Sequence, residues 1–276
     1  MLVDLHTHSN RSDGTLTPAE LVNRAAAAGV DVLALTDHDT VAGLDEAQAA
    51  AAACGITLVA GVEISASWRA QAIHVLGLWI DPAAPLLNSH LAAQTELRHE
   101  RMRKICARLS KLGLPGDKLL ATVEAFPGVP TRSHLSQALV AVGAVESQDA
   151  AFRKYLSKGK AAHIAADWPP LEAVVGWIKA SGGVAALAHP ARYSLSSGAR
   201  AKLVSDFAAA GGAALEVVTG ANGAQHVDVC ASLAKSNALK GSVGSDFHDP
   251  QHSWNPLGRS LKLPEGVTPI WRSYGL

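Results

Sequence analysis

Short apolar runs that stop at polar, ionisable residues alternate along this chain with longer stretches whose apolar positions recur three and four apart. The first run, LVDLH, is short and alternating and leads into polar SNRSDGT, the pattern of a strand followed by a loop. Thr17 and Glu20 then form a T-x-x-E capping box with Pro18 at the first helical position, and Gly29 stops the alanine-rich run behind them. A second strand, DVLALT, ends in Asp37-His38-Asp39. A helix from about Leu44 to Cys54 and a strand ITLVAGVEIS repeat the unit, which is the βαβ alternation of a parallel sheet. The strand AIHVLGLWI follows too soon for a helix to fit between.

From about Asn88 to Pro170 the pattern changes to amphipathic helices such as LAAQTELRHERMRKICARLSKLG and SHLSQALVAVG, without a convincing strand. Strand and helix then alternate again: helix LEAVVGWIKASGG, strand VAALAHP, a helix around Ala199 to Ala210, strand AALEVV, a helix near Val227 to Ser236, and strand KGSVGSDFH. About seven strands result. The expected fold is α/β, with residues 1–87 and 171–276 forming a barrel domain and 88–170 inserted as a helical cap. A length of 276 residues suits one such barrel, of roughly 250 residues, with room for the insertion.

Charge narrows the partners. Lys and Arg number 24 and so do Asp and Glu, so the formal net charge is zero and no long-range pull on a polyanion is expected. A small phosphate-bearing ligand is still compatible. Cys54, Cys106 and Cys230 make no Cys-x-x-Cys pair and are expected to be buried thiols in a reducing compartment. The start MLVDLHTHS lacks the basic and apolar regions of a signal peptide, and no apolar run reaches the roughly 20 residues of a membrane span. A cytoplasmic protein without membrane contact is expected.

In a parallel α/β barrel, functional groups collect at the C-terminal strand ends. His6 and His8 end the first strand, Asp37 and His38 the second, Glu63 the third, His189 the fifth, and Asp246 with His248 the last. His74 sits near the start or middle of its strand, as expected if that strand runs the other way. Residues two apart on a strand face the same side, so His6 and His8 can reach one metal. Any single histidine could be a hydrogen-bonded core residue, but burying this whole set without metal or ion pairs would be very costly. Imidazole and carboxylate without thiolate suit Zn, Mn or Fe. Nine candidates (His6, His8, Asp13, His38, Glu63, His74, His189, Asp246, His248) exceed one ion's needs, so two or three ions are expected, bridged by a carboxylate such as Glu63. Asp13, in Ser-Asp-Gly-Thr, reads equally as an ordinary turn residue. Trp68, Trp79, Trp168, Trp177, Trp254 and Trp271 read as core or cap residues, and His90, His99, His163, His226 and His252 as surface or structural histidines.

The motifs LHTHSNRSDGTLTP, ALTDHDT, GVEIS, AHP and GSDFH, in this order across residues 2 to 248, resemble those of the polymerase and histidinol phosphatase (PHP) family. Within it the similarity is to the TrpH/YciV-like phosphoesterase branch. This resemblance implies a distorted seven-stranded (β/α)7 TIM-like barrel with three divalent ions, Mn first, with Zn or Fe as alternatives. His6, His8, Glu63 and Asp246 would hold one; Glu63, His74 and His189 the second; Asp13, His38 and His248 the third. Many relatives have His at the position of Asp13. The branch implies removal of the 3′-phosphate from nucleoside 3′,5′-bisphosphates by water activated between the metals, or 5′-to-3′ exoribonuclease action on short RNA; histidinol phosphate is a further alternative. PTRSHL resembles the branch's cap motif, so Arg132, Ser133 and His134 would face the substrate, with Arg192 as a further anion ligand. The leaving oxygen's proton would come from a metal-bound water or from Asp37 or His134. No obligate protein partner is expected. A structural metal module and an amidohydrolase are competing classes; the complete ligand set argues against the first, and Glu63 in place of a carboxylated lysine against the second.

Overall fold

A computed structural model describes residues 1–220, 222–252, 255–259 and 261–276 of the protein; Trp254 lies outside these. Seven strands form one sheet in chain order: β1 (Val3–Asp4), β2 (Val32–Leu35), β3 (Thr57–Trp68), β4 (Gln71–Leu78), β5 (Val184–Leu187), β6 (Ala214–Thr219) and β7 (Lys240–Gly244). The sheet turns back on itself, because the Leu5 N–H donates to Val243 C=O at 2.9 Å and the His8 N–H to Phe247 C=O at 2.9 Å. The fold is thus the expected α/β barrel of seven strands. Its distortion lies at β4, which is antiparallel to both neighbours while every other pair is parallel. The cause is the connection Arg69-Ala70, with φ of 45° and 60°, a two-residue left-handed turn that can only fold the chain back as a hairpin. Ser65 consequently faces His74, so the reversed strand carries its histidine to the barrel end where its neighbours finish.

The helices that cover the sheet start where the sequence places their caps. Before α1 (Pro18–Ala27), Thr17 Oγ1 accepts from the Glu20 N–H at 3.2 Å, and the Thr17 N–H donates to Glu20 Oε2 at 2.8 Å. α2 (Leu44–Cys54) has the expected bounds and stops at left-handed Gly55. α3 (Pro85–Lys111), α4 (Gly116–Glu124), α5 (Arg132–Ala141) and α6 (Gln148–Ala151), with a π-helical turn over Phe152–Leu156, occupy the central segment. α3 begins earlier than the amphipathic run from Leu91, because Pro85 suits a first helical position and Leu87 is already buried. α7 (Leu171–Ala180), α8 (Ser197–Ala209) and α9 (Ala224–Ser236) complete the barrel's outer layer.

Two hydrophobic clusters result. The larger fills the sheet and the faces of its flanking helices, and includes Leu87 and Leu91 of α3. A second joins Met102, Ile105, Cys106 and Leu109, further along α3, to Leu119, Leu135, Leu139 and Leu156. Cys106 and Cys230 are buried, but Cys54 is exposed, contrary to the sequence expectation. It ends α2 beside Gly55, where the helix faces away from the sheet. Among the described residues no helix is long and apolar enough to cross a membrane.

Candidate active site

The structure brings all nine candidate ligands to one end of the barrel. Glu63, 1% exposed, is their centre: Oε1 lies 2.9 Å from His189 Nε2 and 3.0 Å from His74 Nδ1. Its Oε2 lies 3.0 Å from His38 Nδ1 and 3.4 Å from Nε2 of both His6 and His8. Asp246 Oδ1 approaches His8 Nε2 at 3.2 Å and His6 Nε2 at 3.4 Å. Asp13 Oδ1 is 3.2 Å from His248 Nε2 and 3.7 Å from His38 Nε2, so its turn delivers the carboxylate to the histidines.

The donor set fits divalent cations. Asp13 Oδ1 and the Nδ1 atoms of His38, His74 and His189 are buried without a hydrogen bond, and such atoms cost about 1–3 kcal/mol each unless something binds them. His6 and His8 turn Nε2 toward each other across 3.1 Å, as two ligands of one ion would. The ligand atoms form four overlapping groups, each within 4.8 Å: His8, Asp13, His38 and His248; His6, Glu63 and His189; His6, His8 and Asp246; His38, Glu63 and His74. Imidazole nitrogen and carboxylate oxygen without thiolate are the ligands of Zn, Mn and Fe.

Electrostatics hold the carboxylates ionised, and against the burial that opposes charge those carboxylates raise His6 and His38 and lift His248 to about 9, so a cation would displace protons from these three rings. Burial opposes charge on Glu63, but His74, His38 and His6 outweigh it and hold the carboxyl well below the usual range; His6 and Arg192 do the same for Asp246. Burial, with His248 adding to it, pushes His8 down to about 3, which leaves its imidazole neutral. Two candidate ligands stand on strained backbone: φ is 30° at His189 and 54° at Asp246, a region that costs a non-glycine residue about 1–3 kcal/mol.

Several residues that hold the ligands escaped the sequence reading. Glu216, fully buried on β6, has Oε1 3.0 Å from His6 Nδ1 and accepts from the His189 N–H on Oε2 at 2.6 Å. It fixes the His6 ring with Nε2 toward the cluster, the usual outer partner of a metal-binding histidine. Gly244 makes this approach possible, since a Cβ there would fall 2.2 Å from His6 Cβ and 2.6 Å from Glu216 Oε1. Asp4 accepts from the Ser245 N–H at 2.8 Å and so ties β1 to the loop after β7; burial raises it to about 6. The signal for both was a lone carboxylate inside an apolar strand.

Beside the cluster lies a cavity of about 560 Å³. One wall carries Glu63, His74, His189 and Arg192; another carries Arg98, Arg101, Arg132, Lys158 and His163 from the central segment. His163 is therefore a cavity residue rather than a plain surface histidine. Arg132 opens α5 and donates from Nη1 to Leu156 C=O at 3.4 Å, and Ser133 lines the same space. Burial, then Arg132 and Arg98, lower Arg101 to about 9, so these cations crowd one another. Arg98 also reaches the barrel, donating from Nε to Asp39 Oδ2 at 2.7 Å and from Nη2 to Ser65 Oγ at 2.8 Å. Arg192, after His189, donates to Asp246 Oδ2.

The two proton-transfer candidates are held by local hydrogen bonds. Asp37, 1% exposed, accepts from the Ser9 N–H at 2.8 Å, Ser9 Oγ at 2.6 Å and Ser12 Oγ at 2.7 Å, and braces the loop after β1. His134 accepts on Nδ1 from the Thr131 N–H at 3.2 Å, capping α5, and stacks on Phe126 at 4.5 Å. Neither lines the cavity. A second cavity, of about 440 Å³, adjoins the first and shares Asp13, Ser133, Arg192, Asp246 and His248 with it.

A closed α/β sheet with buried histidines and carboxylates at its strand ends is the frame of a metal-dependent hydrolase. The PHP domain family matches residues 4–111. The chain is 43% identical, over 98% of its length and 98% of the relative's, to a 5′-3′ exoribonuclease of Haemophilus influenzae. It is also 43% identical, over 98% of its length and 95% of the relative's, to a 3′,5′-nucleoside bisphosphate phosphatase of Chromobacterium violaceum. Among solved structures, an amidohydrolase from Chromobacterium violaceum with bound sulfate and no metal superposes with a TM-score of 0.93 at 41% identity, covering 100% of this chain and 96% of that one. A protein from Bifidobacterium adolescentis designated a metal-dependent phosphoesterase gives 0.82 at 31% identity, covering 99% and 94%. The chain belongs to the PHP family, and it is a metal-dependent phosphoesterase.

Proposed function

We propose that this enzyme removes the 3′-phosphate from nucleoside 3′,5′-bisphosphates, releasing a nucleoside 5′-phosphate and inorganic phosphate. The observation that carries this reading is a cavity of about 560 Å³ with the histidine–carboxylate cluster on one side and Arg101, Arg132, Lys158 and His163 on another. With ions bound at the cluster, two cationic centres would flank a space of nucleotide-binding size, which suits a ligand with a phosphate at each end. The same cations favour a phosphoester over an amide substrate, which would leave them without an anion. We assign His6, His8, Glu63 and Asp246 to one divalent ion, Glu63, His74 and His189 to a second, and Asp13, His38 and His248 to a third, with Mn as the first choice. When bound, such ions supply Lewis-acid charge and make water nucleophilic near neutral pH.

The remaining work falls to the chain's own residues. Glu216 orients His6, and Arg192 holds Asp246 while facing the scissile phosphate. Arg132 and Ser133, at the start of α5, offer a guanidinium and a hydroxyl to the 5′-phosphate, while the Ser133 and His134 N–H groups donate to Thr131 Oγ1. Residues 88–170 act in this reading as a cap that supplies the specificity wall. Cytoplasmic location suits three unpaired thiols. The test compares kcat/KM of the Mn-loaded enzyme on adenosine 3′,5′-bisphosphate, 5′-AMP and histidinol phosphate. The bisphosphate should be preferred; equal turnover of all three would remove the cation wall from substrate recognition.

A further inference from the structure

The ladder between β4 and β5 is interrupted at the pair that leads into two candidate ligands. The strands run antiparallel with Leu76 opposite Ala186 and Val75 opposite Leu187, so His74 faces Ala188. In such a ladder alternate facing pairs exchange two N–H···O=C bonds. Here half of the exchange is made: the Ala188 N–H donates to His74 C=O at 3.2 Å. The other half runs through a side chain. The His74 N–H donates to Tyr193 Oη at 2.8 Å, and Tyr193 Oη donates to Ala188 C=O at 3.0 Å. A phenolic hydroxyl, able to accept and donate at once, thus puts two hydrogen bonds in series where the ladder has one. Burial holds this phenol well above its usual range, so it keeps the proton it donates.

We infer that Tyr193 is a positioning residue: its hydroxyl, wedged between β4 and the end of β5, sets the spacing of His74 and His189 around one divalent ion. This rests on the assignment of Glu63, His74 and His189 to a common ion proposed above.

The two imidazoles converge on a single oxygen, since Glu63 Oε1 lies 3.0 Å from His74 Nδ1 and 2.9 Å from His189 Nε2. His74 is fixed from one side, because the ladder from Gly61–Leu78 to Trp68–Gln71 locks β4 to the strand that bears Glu63. His189 has no such ladder. It turns out of β5 at once with φ of 30°, and Ala188, the residue before it, meets β4 through the bridged pair. The wedge has its own support outside the cluster. The Arg192 N–H donates to His189 C=O at 2.9 Å, and from α8 Arg200 donates Nε to Pro190 C=O at 3.1 Å and Nη2 to Leu195 C=O at 3.3 Å. The Tyr193 ring also stands edge-on to the His189 imidazole, with centroids 5.4 Å apart. Held in this way, the hydroxyl acts as a spacer instead of following the strands. Its removal leaves the His74 N–H and the Ala188 C=O unpaired, a cost the strands relieve by closing on one another and shifting one ligand against the other.

Tyr193→Phe keeps the ring, which lines the larger cavity, and deletes the wedge alone. The test titrates Mn into metal-free wild type, Tyr193→Phe, His74→Ala and the double variant by calorimetry, with circular dichroism reporting the fold. His74→Ala should lose or weaken one equivalent of Mn. Tyr193→Phe should weaken that same equivalent by about tenfold or more, the size of a lost outer partner, and the double variant should bind no more weakly than His74→Ala, because both changes act through one ligand pair. At limiting Mn, Tyr193→Phe should lower kcat on adenosine 3′,5′-bisphosphate and leave KM within about twofold. Wild-type Mn affinity in Tyr193→Phe, or losses that add in full with His74→Ala, would overturn the inference and leave the ion assignment standing. If His74→Ala itself binds Mn as the wild type does, both fall.

Discussion

The barrel side of the larger cavity and the side built by the central helices hold their charged groups under opposite conditions. On the barrel, Glu63, His189 and Asp246 are buried at strand ends, each within reach of several others, and held by outer partners such as Glu216. Across the cavity, Arg101, Arg132 and His163 are half-buried and Lys158 is exposed, on helix faces and loops with a core of their own. Catalytic ligands demand fixed geometry, which a sheet supplies, whereas binding an anion tolerates longer and softer side chains. The candidate ligands and the cation wall are anchored in different hydrophobic clusters and can therefore be damaged separately.

The strongest way to break the barrel side is Glu63→Ala. Loss of the carboxylate shared by five histidines should cut kcat by about 10³-fold or more on every phosphoester, since it removes several kcal/mol of metal-based stabilisation. Circular dichroism should show the fold retained, and a chelator should abolish wild-type activity until divalent ion is restored. Full activity in either case would refute the metal site. Next comes the joint between the two sides. Arg98→Ala strands the fully buried Asp39 carboxylate and should lower stability in urea unfolding by about 3–5 kcal/mol. The smallest effect should be the most selective: Arg132→Ala should lower kcat/KM for a bisphosphate by about 10–100-fold, mainly through KM, and leave a monophosphate ester nearly unchanged. An equal loss on both would place Arg132 with the barrel side.

The barrel side was legible in the sequence because strand periodicity and strand-end chemistry coincide there. Five of the seven short apolar runs end in candidate ligands, and even the reversal at β4 was foreshadowed by His74 sitting mid-strand with no room for a crossover helix. Glu216 and Asp4 were missed because a single carboxylate inside an apolar strand names no partner until the register brings His6 or Ser245 to it. Across the cavity the same pattern failed. Arg98 and Arg101 read as ordinary charges of an amphipathic helix, since nothing local says that this face meets the barrel. His163 lies in an irregular stretch with no periodicity to place it. Asp37 and His134 also brace a loop and a helix start through Oδ2 and Nδ1, a use of these side chains that the sequence does not announce.

α3 runs unbroken for 27 residues from Pro85 to Lys111, with Leu87 and Leu91 in the barrel's cluster and Met102, Ile105 and Leu109 in the other. At 1.5 Å per residue it is a shaft of about 40 Å with both ends gripped. Inserting a single residue between Arg98 and Met102 would turn everything beyond it by about 100° and swing Met102, Ile105 and Leu109 out of their packing. A change of three or four residues, close to a whole turn, would preserve the facing and slide the cation wall along the axis by about 5 Å. The reach between the barrel cluster and the cation wall is therefore quantised by the helical repeat. A wider or narrower cavity calls for discrete steps in this one helix rather than gradual drift in the loops around it.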